Sequence, residues 1–173
     1  MADSRVLTGL FPDRASAERA YQSLVERGYD RDDVNLVMSD ETRARDFPPG
    51  GTLGTELGSK AAGGAGIGAG IGGALGAVVA AIAAVGGNVA LPGLGLVIAG
   101  PIATALVGAG AGGAAGGLLG ALIGWGIPEE RVNAYESGLR SGGILMGVRP
   151  RTEADAAHFE MLWRDANAQA LYR

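Results

Sequence analysis

"RVLTGLFPDRASAERAYQSLVERGYDRDDVNLVMS", residues 5–39, changes its hydrophobic period twice, and the order of those changes decides the fold. Its opening has the pattern of a strand, with Val6, Thr8 and Leu10 toward one face and Leu7, Gly9 and Phe11 toward the other. Pro12 and Asp13 break that pattern. Asp13 is placed to cap a helix on which Ala17, Ala20, Tyr21, Leu24 and Val25 recur at helical spacing, and Gly28 stands where a helix is closed by a residue of positive φ. Val34, Leu36 and Met38 then alternate again, so the stretch reads strand, helix, strand.

The far end of the chain repeats the unit. "GGILMGVR" has strand composition from Gly143 to Arg149, "TEADAAHFEMLWRDAN" presents Phe159, Leu162, Trp163 and Ala166 at helical spacing, and "AQALYR" supplies a short last strand. Thr152 followed by Asp155 has the form of a capping box with aspartate in place of glutamate. Two such units in this order predict an α+β fold, a ferredoxin-like βαββαβ sandwich of four antiparallel strands with two helices on one face. Neither half buries enough surface alone, so residues 1–40 and 143–173 are expected to form one domain with an insertion between them. Gly9 and Gly147 fall on the two central strands of that topology. A shared sheet-face depression at these two glycines, open to a small ligand, is one expectation; a local bend or close helix packing at each is the other.

The insertion is where the composition is unusual. Of the 32 glycines, 22 lie between Ala61 and Pro128, a window with no Asp, Glu, Lys, Arg or His. Within it Gly64, Gly68, Gly72 and Gly76 recur every four residues, as do Gly108, Gly112, Gly116, Gly120 and Gly124. On a helix each set forms one ridge. Glycine in a helix costs about 1 kcal/mol relative to alanine, so a helix over residues 108–124 needs a large offsetting gain. Close backbone approach between helices, with weak Cα–H hydrogen bonds, supplies it. The expected organisation is a linker at 41–53, broken by Pro48 and Pro49, and a glycine-zipper helical hairpin at 54–126. Its arms are residues 54–86 and 94–125, with "GGNVALPG" as the turn and Pro101 kinking or restarting the second arm. A connector helix follows at 127–142, with Pro128 in its first turn.

Two surroundings satisfy such a hairpin. Both arms are long enough for the ~20 residues of a bilayer span, and Trp125 at the hairpin's end suits either an interfacial anchor or simple packing. The first arm, however, is mostly alanine and glycine and gains little from insertion alone. Arg43, Arg45 and Lys60 before the hairpin and Arg131 and Arg140 after it would keep both flanks on the cytoplasmic face of the inner membrane. Alternatively, the uncharged helices of many copies pack against one another as a large cytoplasmic shell or filament. A soluble monomer is the least favoured state, because it leaves a large uncharged surface exposed.

Composition narrows the chemistry further. A net charge of −4 with no basic stripe argues against nucleic acid held by its phosphates. Cysteine is absent, which removes thiolate ligands and nucleophiles, and acid stands where a signal peptide carries its basic region. Gly68, Gly70 and Gly73 satisfy G-x-G-x-x-G, but no strand precedes them and no carboxylate follows before Glu129. "GTELGSKAA" lacks the spacing and hydroxyl of a phosphate loop, and Asp30, Asp32 and Asp33 lack the glycine and terminal glutamate of a calcium loop. His158 is the single histidine, beside the Phe159–Leu162 stripe. No catalytic residue, cofactor or metal site is expected, and the chain reads as a non-enzyme.

"LFPDRASAERAYQSLVERGY" and "LPGLGLVIAGPIATALVGAGAGGAAGGLLGALIGWGIPEERVNAYESGLRSGGILMGVRP" carry a family resemblance across the whole chain. It resembles the bacterial general-stress-protein family that includes heat- and low-temperature-induced members, in which a βαβ opening joins a glycine-zipper segment. The resemblance implies stress association and membrane segments, with no defined reaction. The function expected is non-enzymatic self-assembly through the ladder glycines into a homo-oligomer, in or on a membrane. A soluble scaffold and a small-ligand sensor at the sheet face are the alternatives.

Overall fold

A computed structural model describes residues 6–47, 88–91, 96–101, 103 and 127–173. The strands are β1 (Leu7–Phe11), β2 (Val34–Ser39), β3 (Asn88–Leu91), β4 (Leu96–Ala99), β5 (Ile144–Val148) and β6 (Ala170–Tyr172). The helices are α1 (Arg14–Val25), α2 (Asp40–Asp46), α3 (Glu129–Arg140) and α4 (Glu153–Asp165), with a 3-10 turn at Arg31–Asp33. All six strands form one antiparallel sheet in the order β3-β4-β2-β5-β1-β6. The architecture is mixed α+β. β1 lies between β5 and β6, and β5 between β1 and β2, so the two ends of the chain interleave within the sheet.

Alternation along the strands sorts the core into two layers. Leu7, Phe11, Leu36, Met38, Ile144, Met146 and Val148 point to one face, where they pack against Ala17, Ala20, Tyr21 and Leu24 of α1 and Phe159 and Trp163 of α4. Leu10, Val37, Leu96, Ile98 and Leu145 point to the other, against Val132, Tyr135 and Leu139 of α3. The expected two-helix cover is therefore present on one face, but the opposite face is not bare. At Gly138 of α3 an added Cβ would lie 2.1 Å from Leu10 Cδ2, so the missing side chain lets this helix settle directly on β1.

Helix ends follow their residues. Asp13 accepts from Ser16 N at 2.8 Å and Thr152 from Asp155 N at 3.0 Å, each satisfying a first-turn N–H. At the other ends, Tyr29 N–H bonds Leu24 O, Gly143 N–H bonds Gly138 O and Ala168 N–H bonds Trp163 O, over left-handed Gly28 (φ +73), Gly142 (φ +93) and Asn167 (φ +70). Three helices thus end in the same Schellman closure. Pro128, expected inside the first turn of α3, is instead its N-cap.

Three boundaries differ from the sequence expectation. The predicted linker begins as α2, whose cap is Ser39 Oγ accepting from Thr42 N at 3.0 Å. Asp40 and Glu41 in its first turn and Arg43 and Arg45 in its last suit the helix dipole, while Thr42 and Phe47 are buried. These two tertiary anchors hold a helix too short and too polar to show a hydrophobic period. Second, the predicted hairpin turn and the start of its second arm are β3 and β4, which pair with each other and, through β4, with β2. Third, helical backbone begins only at Pro101, after Gly100 turns the chain at φ +108. The predicted arm 54–86 and the remainder of 94–125 lie outside the described residues.

Candidate functional site

The ladder glycines Gly64, Gly68, Gly72, Gly76, Gly108, Gly112, Gly116, Gly120 and Gly124 lie outside the described residues. What is described is how the body grips the chain around them. Phe47 is buried in the first core layer, with the Arg14 guanidinium 4.8 Å above its ring and donating to Asp46 O. Arg14 is itself oriented by Glu18 at 2.7 Å. After residues 48–87 the chain is in the sheet as β3, and β4 carries it to Ala103 in the second core layer. After residues 104–126 it re-enters that same layer at Ile127, 2% exposed.

Gly9 and Gly147 are not brought together. In the β1–β5 register Gly9 pairs with Met146 and Gly147 with Thr8, so the two glycines face opposite sides of the sheet. An added Cβ at Gly9 would stand 2.8 Å from Trp163 Cε3. The space over Gly9 is filled by the indole, and there is no shared depression. Close helix packing explains this glycine.

The Gly147 side carries instead a polar row. Thr8, Gly147 and Asn35 are in register across β1, β5 and β2, and both side chains are buried. Thr8 Oγ1 and Tyr135 OH are 2.9 Å apart, and the Thr8 hydroxyl also reaches Tyr172 O at 3.4 Å. Arg131, one turn before Tyr135, lies 5.0 Å over the Tyr172 ring, so α3 is fastened to both β1 and β6. Burial raises the Tyr135 pKa, only partly offset by the hydrogen bond to Thr8, and keeps the phenol neutral. The pair therefore acts as a buried hydrogen-bonded pin. Tyr135→Phe is expected to cost about 1–2 kcal/mol in urea denaturation, because Thr8 keeps only its longer contact. Adding Thr8→Val should recover part of that loss by removing the stranded hydroxyl.

A second polar knot joins the ends of α1 and α4. Asp155, nearly buried, takes Arg27 Nη1 at 2.8 Å and Tyr29 OH at 3.0 Å. The Tyr29 oxygen in turn accepts from Arg151 N at 2.6 Å. The Arg151 guanidinium lies 4.3 Å over the Tyr29 ring and pairs with Asp33 at 2.7 Å. Burial raises the Asp155 pKa, but hydrogen bonds from Thr152, Tyr29 and Arg27 outweigh it and hold the carboxyl below its ordinary value. A carboxyl depressed in the folded state adds stability above its unfolded pKa and loses it as pH falls through the folded pKa. Asp155→Asn should thus be clearly less stable than the parent at pH 7. Its deficit should shrink below about pH 4 in urea midpoints taken across that range. A deficit independent of pH would assign the loss to packing.

Among the described residues no group of His, Asp and Glu is arranged to hold a metal, and no helix is long and apolar enough to cross a membrane. His158 sits half-buried beside Phe159, ring centroids 6.0 Å apart. Sequence reasoning missed the Thr8–Tyr135 pin and the Asp155 knot. Their partners lie more than 100 residues apart, and nothing local marks them. No family model, no curated protein and no solved structure matches this chain.

Proposed function

We propose that this protein is a non-enzymatic, stress-associated scaffold that assembles with copies of itself through its glycine ladders. In this reading the α+β body is a ferredoxin-like unit that holds a glycine-zipper insertion. The order β2-β5-β1-β6 of the strands contributed by the two chain ends supports the ferredoxin-like part. The charge-free window and its two period-four ladders support the zipper.

One observation favours protein over lipid as the surroundings of the ladders: the body grips the chain on both sides of each. A helix that crosses a bilayer carries its ends to opposite sides of ~30 Å of hydrocarbon. Ala103 and Ile127 belong to one core layer, and Phe47 and Asn88 to one body. Each charge-free stretch offers about one crossing's worth of residues, 61–87 and 104–126, yet within one copy each begins and ends at the same body. Packing against other copies does not require the two ends of a stretch to lie on opposite sides of such a layer.

The experiment is flotation with lipid vesicles beside size-exclusion light scattering of the chain purified without detergent. A large uniform particle that does not float is expected, and Gly112→Leu or Gly116→Leu should reduce its mass by holding helices apart. Flotation that resists carbonate extraction would establish the inner-membrane reading instead. Unchanged mass in both leucine variants would remove the ladders from the account.

A further inference from the structure

The geometry points to exchange of the β3–β4 hairpin between copies of this chain, β4 of one copy pairing with β2 of another. This rests on the self-association proposed above and names the surface that would lock it.

Without the hairpin, β2 is the edge of the sheet contributed by the two chain ends, a row of unpaired N–H and C=O groups. β4 covers that edge in the register Leu36↔Ala99, Val37↔Ile98, Met38↔Val97 and Ser39↔Leu96. The match extends to both layers: Ala99 joins the core beneath α1 and α4, while Leu96 and Ile98 join the one beneath α3. Gly100 fits so closely that an added Cβ would lie 2.4 Å from Val34 O and 3.0 Å from Asn35 Oδ1. The seat is therefore specific for this strand, and every copy presents an identical one.

The hairpin's connections are long on both sides. Residues 48–87 precede it and residues 104–126 separate Ala103 from Ile127. Even at the 1.5 Å per residue of a helix, 40 residues reach about 60 Å and 23 residues about 35 Å, more than the diameter of a small domain. Tethering favours a copy's own hairpin by an effective concentration on the order of millimolar, falling as the tether lengthens. Inside an assembly a neighbour's hairpin is present at comparable local concentration and makes the same contacts. Exchange there is close to neutral in energy and converts loose packing into shared strands.

The absence of cysteine makes the test clean. In the double variant Val37→Cys/Ile98→Cys the two sulfurs face each other across the β2–β4 pair, at a spacing a disulfide accepts. After mild oxidation of the full-length chain, a non-reducing gel read beside light scattering should show covalent dimers and larger species. A mixture of Val37→Cys chains with Ile98→Cys chains, co-refolded, should give the same linked dimer, and neither chain alone should. Leu36→Cys/Ala99→Cys repeats the test on the other face should the first pair fail to fold. Links confined within single chains, in a protein that is oligomeric by light scattering, would overturn exchange and leave the ladder reading standing. Links confined within single chains in a monomeric protein would overturn both.

Discussion

Trp163→Ala is expected to cost about 3–5 kcal/mol, the largest effect of any single truncation in the first core layer. The indole is fully buried, meets Phe11 edge-on with ring centroids 5.5 Å apart, and donates from Nε1 to Ala20 O at 3.2 Å. Its removal opens a cavity over Gly9, which has no side chain to relax into it, and takes away the hydrogen bond that ties α4 to Ala20 of α1. Urea denaturation followed by circular dichroism measures the loss. A complementary series separates this seat from general hydrophobicity. Gly9→Ala alone places a methyl group 2.8 Å from Trp163 Cε3 and should cost about 1–3 kcal/mol by overpacking. Combined with Trp163→Phe, the same substitution should cost less than the sum of the two, because the smaller ring makes room for the added carbon. Strict additivity would mean that the glycine and the indole do not share one space.

Gly100→Ala is expected to destabilise by about 3–4 kcal/mol, an unusual loss for one methyl group at a turn. Two penalties add. The residue holds φ +108, where an L side chain is strained by about 1–3 kcal/mol, and the new Cβ would meet backbone at Val34 O, 2.4 Å away, with Asn35 Cα at 2.9 Å. Backbone cannot rotate aside as a side-chain tip can, so β4 must lift from β2. The loss should therefore be local as well as global. Amide exchange of Leu36–Ser39 should quicken in this variant more than that of β1. By contrast Gly28→Ala, also at positive φ but with open space where a Cβ would sit, should lose only the conformational part, about 1–2 kcal/mol. Equal losses at the two glycines would show that the close approach of β4 to β2 contributes nothing.

The parts of the fold legible in the sequence are those fixed by neighbours along the chain. Asp13 and Thr152 cap the helices they precede, Gly28 closes the helix it follows, and alternation places Leu7 and Phe11 opposite Thr8 and Leu10. What the sequence concealed depends on contacts between distant residues. "LGLVIAG" is a short apolar run between glycines, and such a run does not distinguish a buried strand from a piece of helix; its partner β2 settles the matter. Gly138 interrupts an amphipathic pattern without visible reason until Leu10, 128 positions earlier, is found beneath it. The same holds for the cover on the second sheet face: the connector helix was expected, but nothing in "EERVNAYESGLR" names the surface on which Val132, Tyr135 and Leu139 come to rest. For the candidate site the division is sharper. The ladders are plain in the spacing of glycines, whereas the grip of Phe47, Ala103 and Ile127 around them is written only in three dimensions.

The interleaved strand order also sets a timetable for synthesis. Both neighbours of β1, the strands β5 and β6, come from the last thirty residues of the chain. At a ribosomal rate of about 5–20 residues per second, Leu7–Phe11 is synthesised roughly 7–30 seconds before the first of them. During that interval β1 lacks both its partners, whereas β2, β3 and β4, all made before β5, have one another to pair with. Closing the sheet then requires contacts of long sequence separation, which fold slowly. A strand order of this kind is expected to make folding during synthesis sensitive to the speed of translation and to chaperones at the ribosome exit. The protein's yield on expression should respond to both before any change in the stability of the finished molecule is felt.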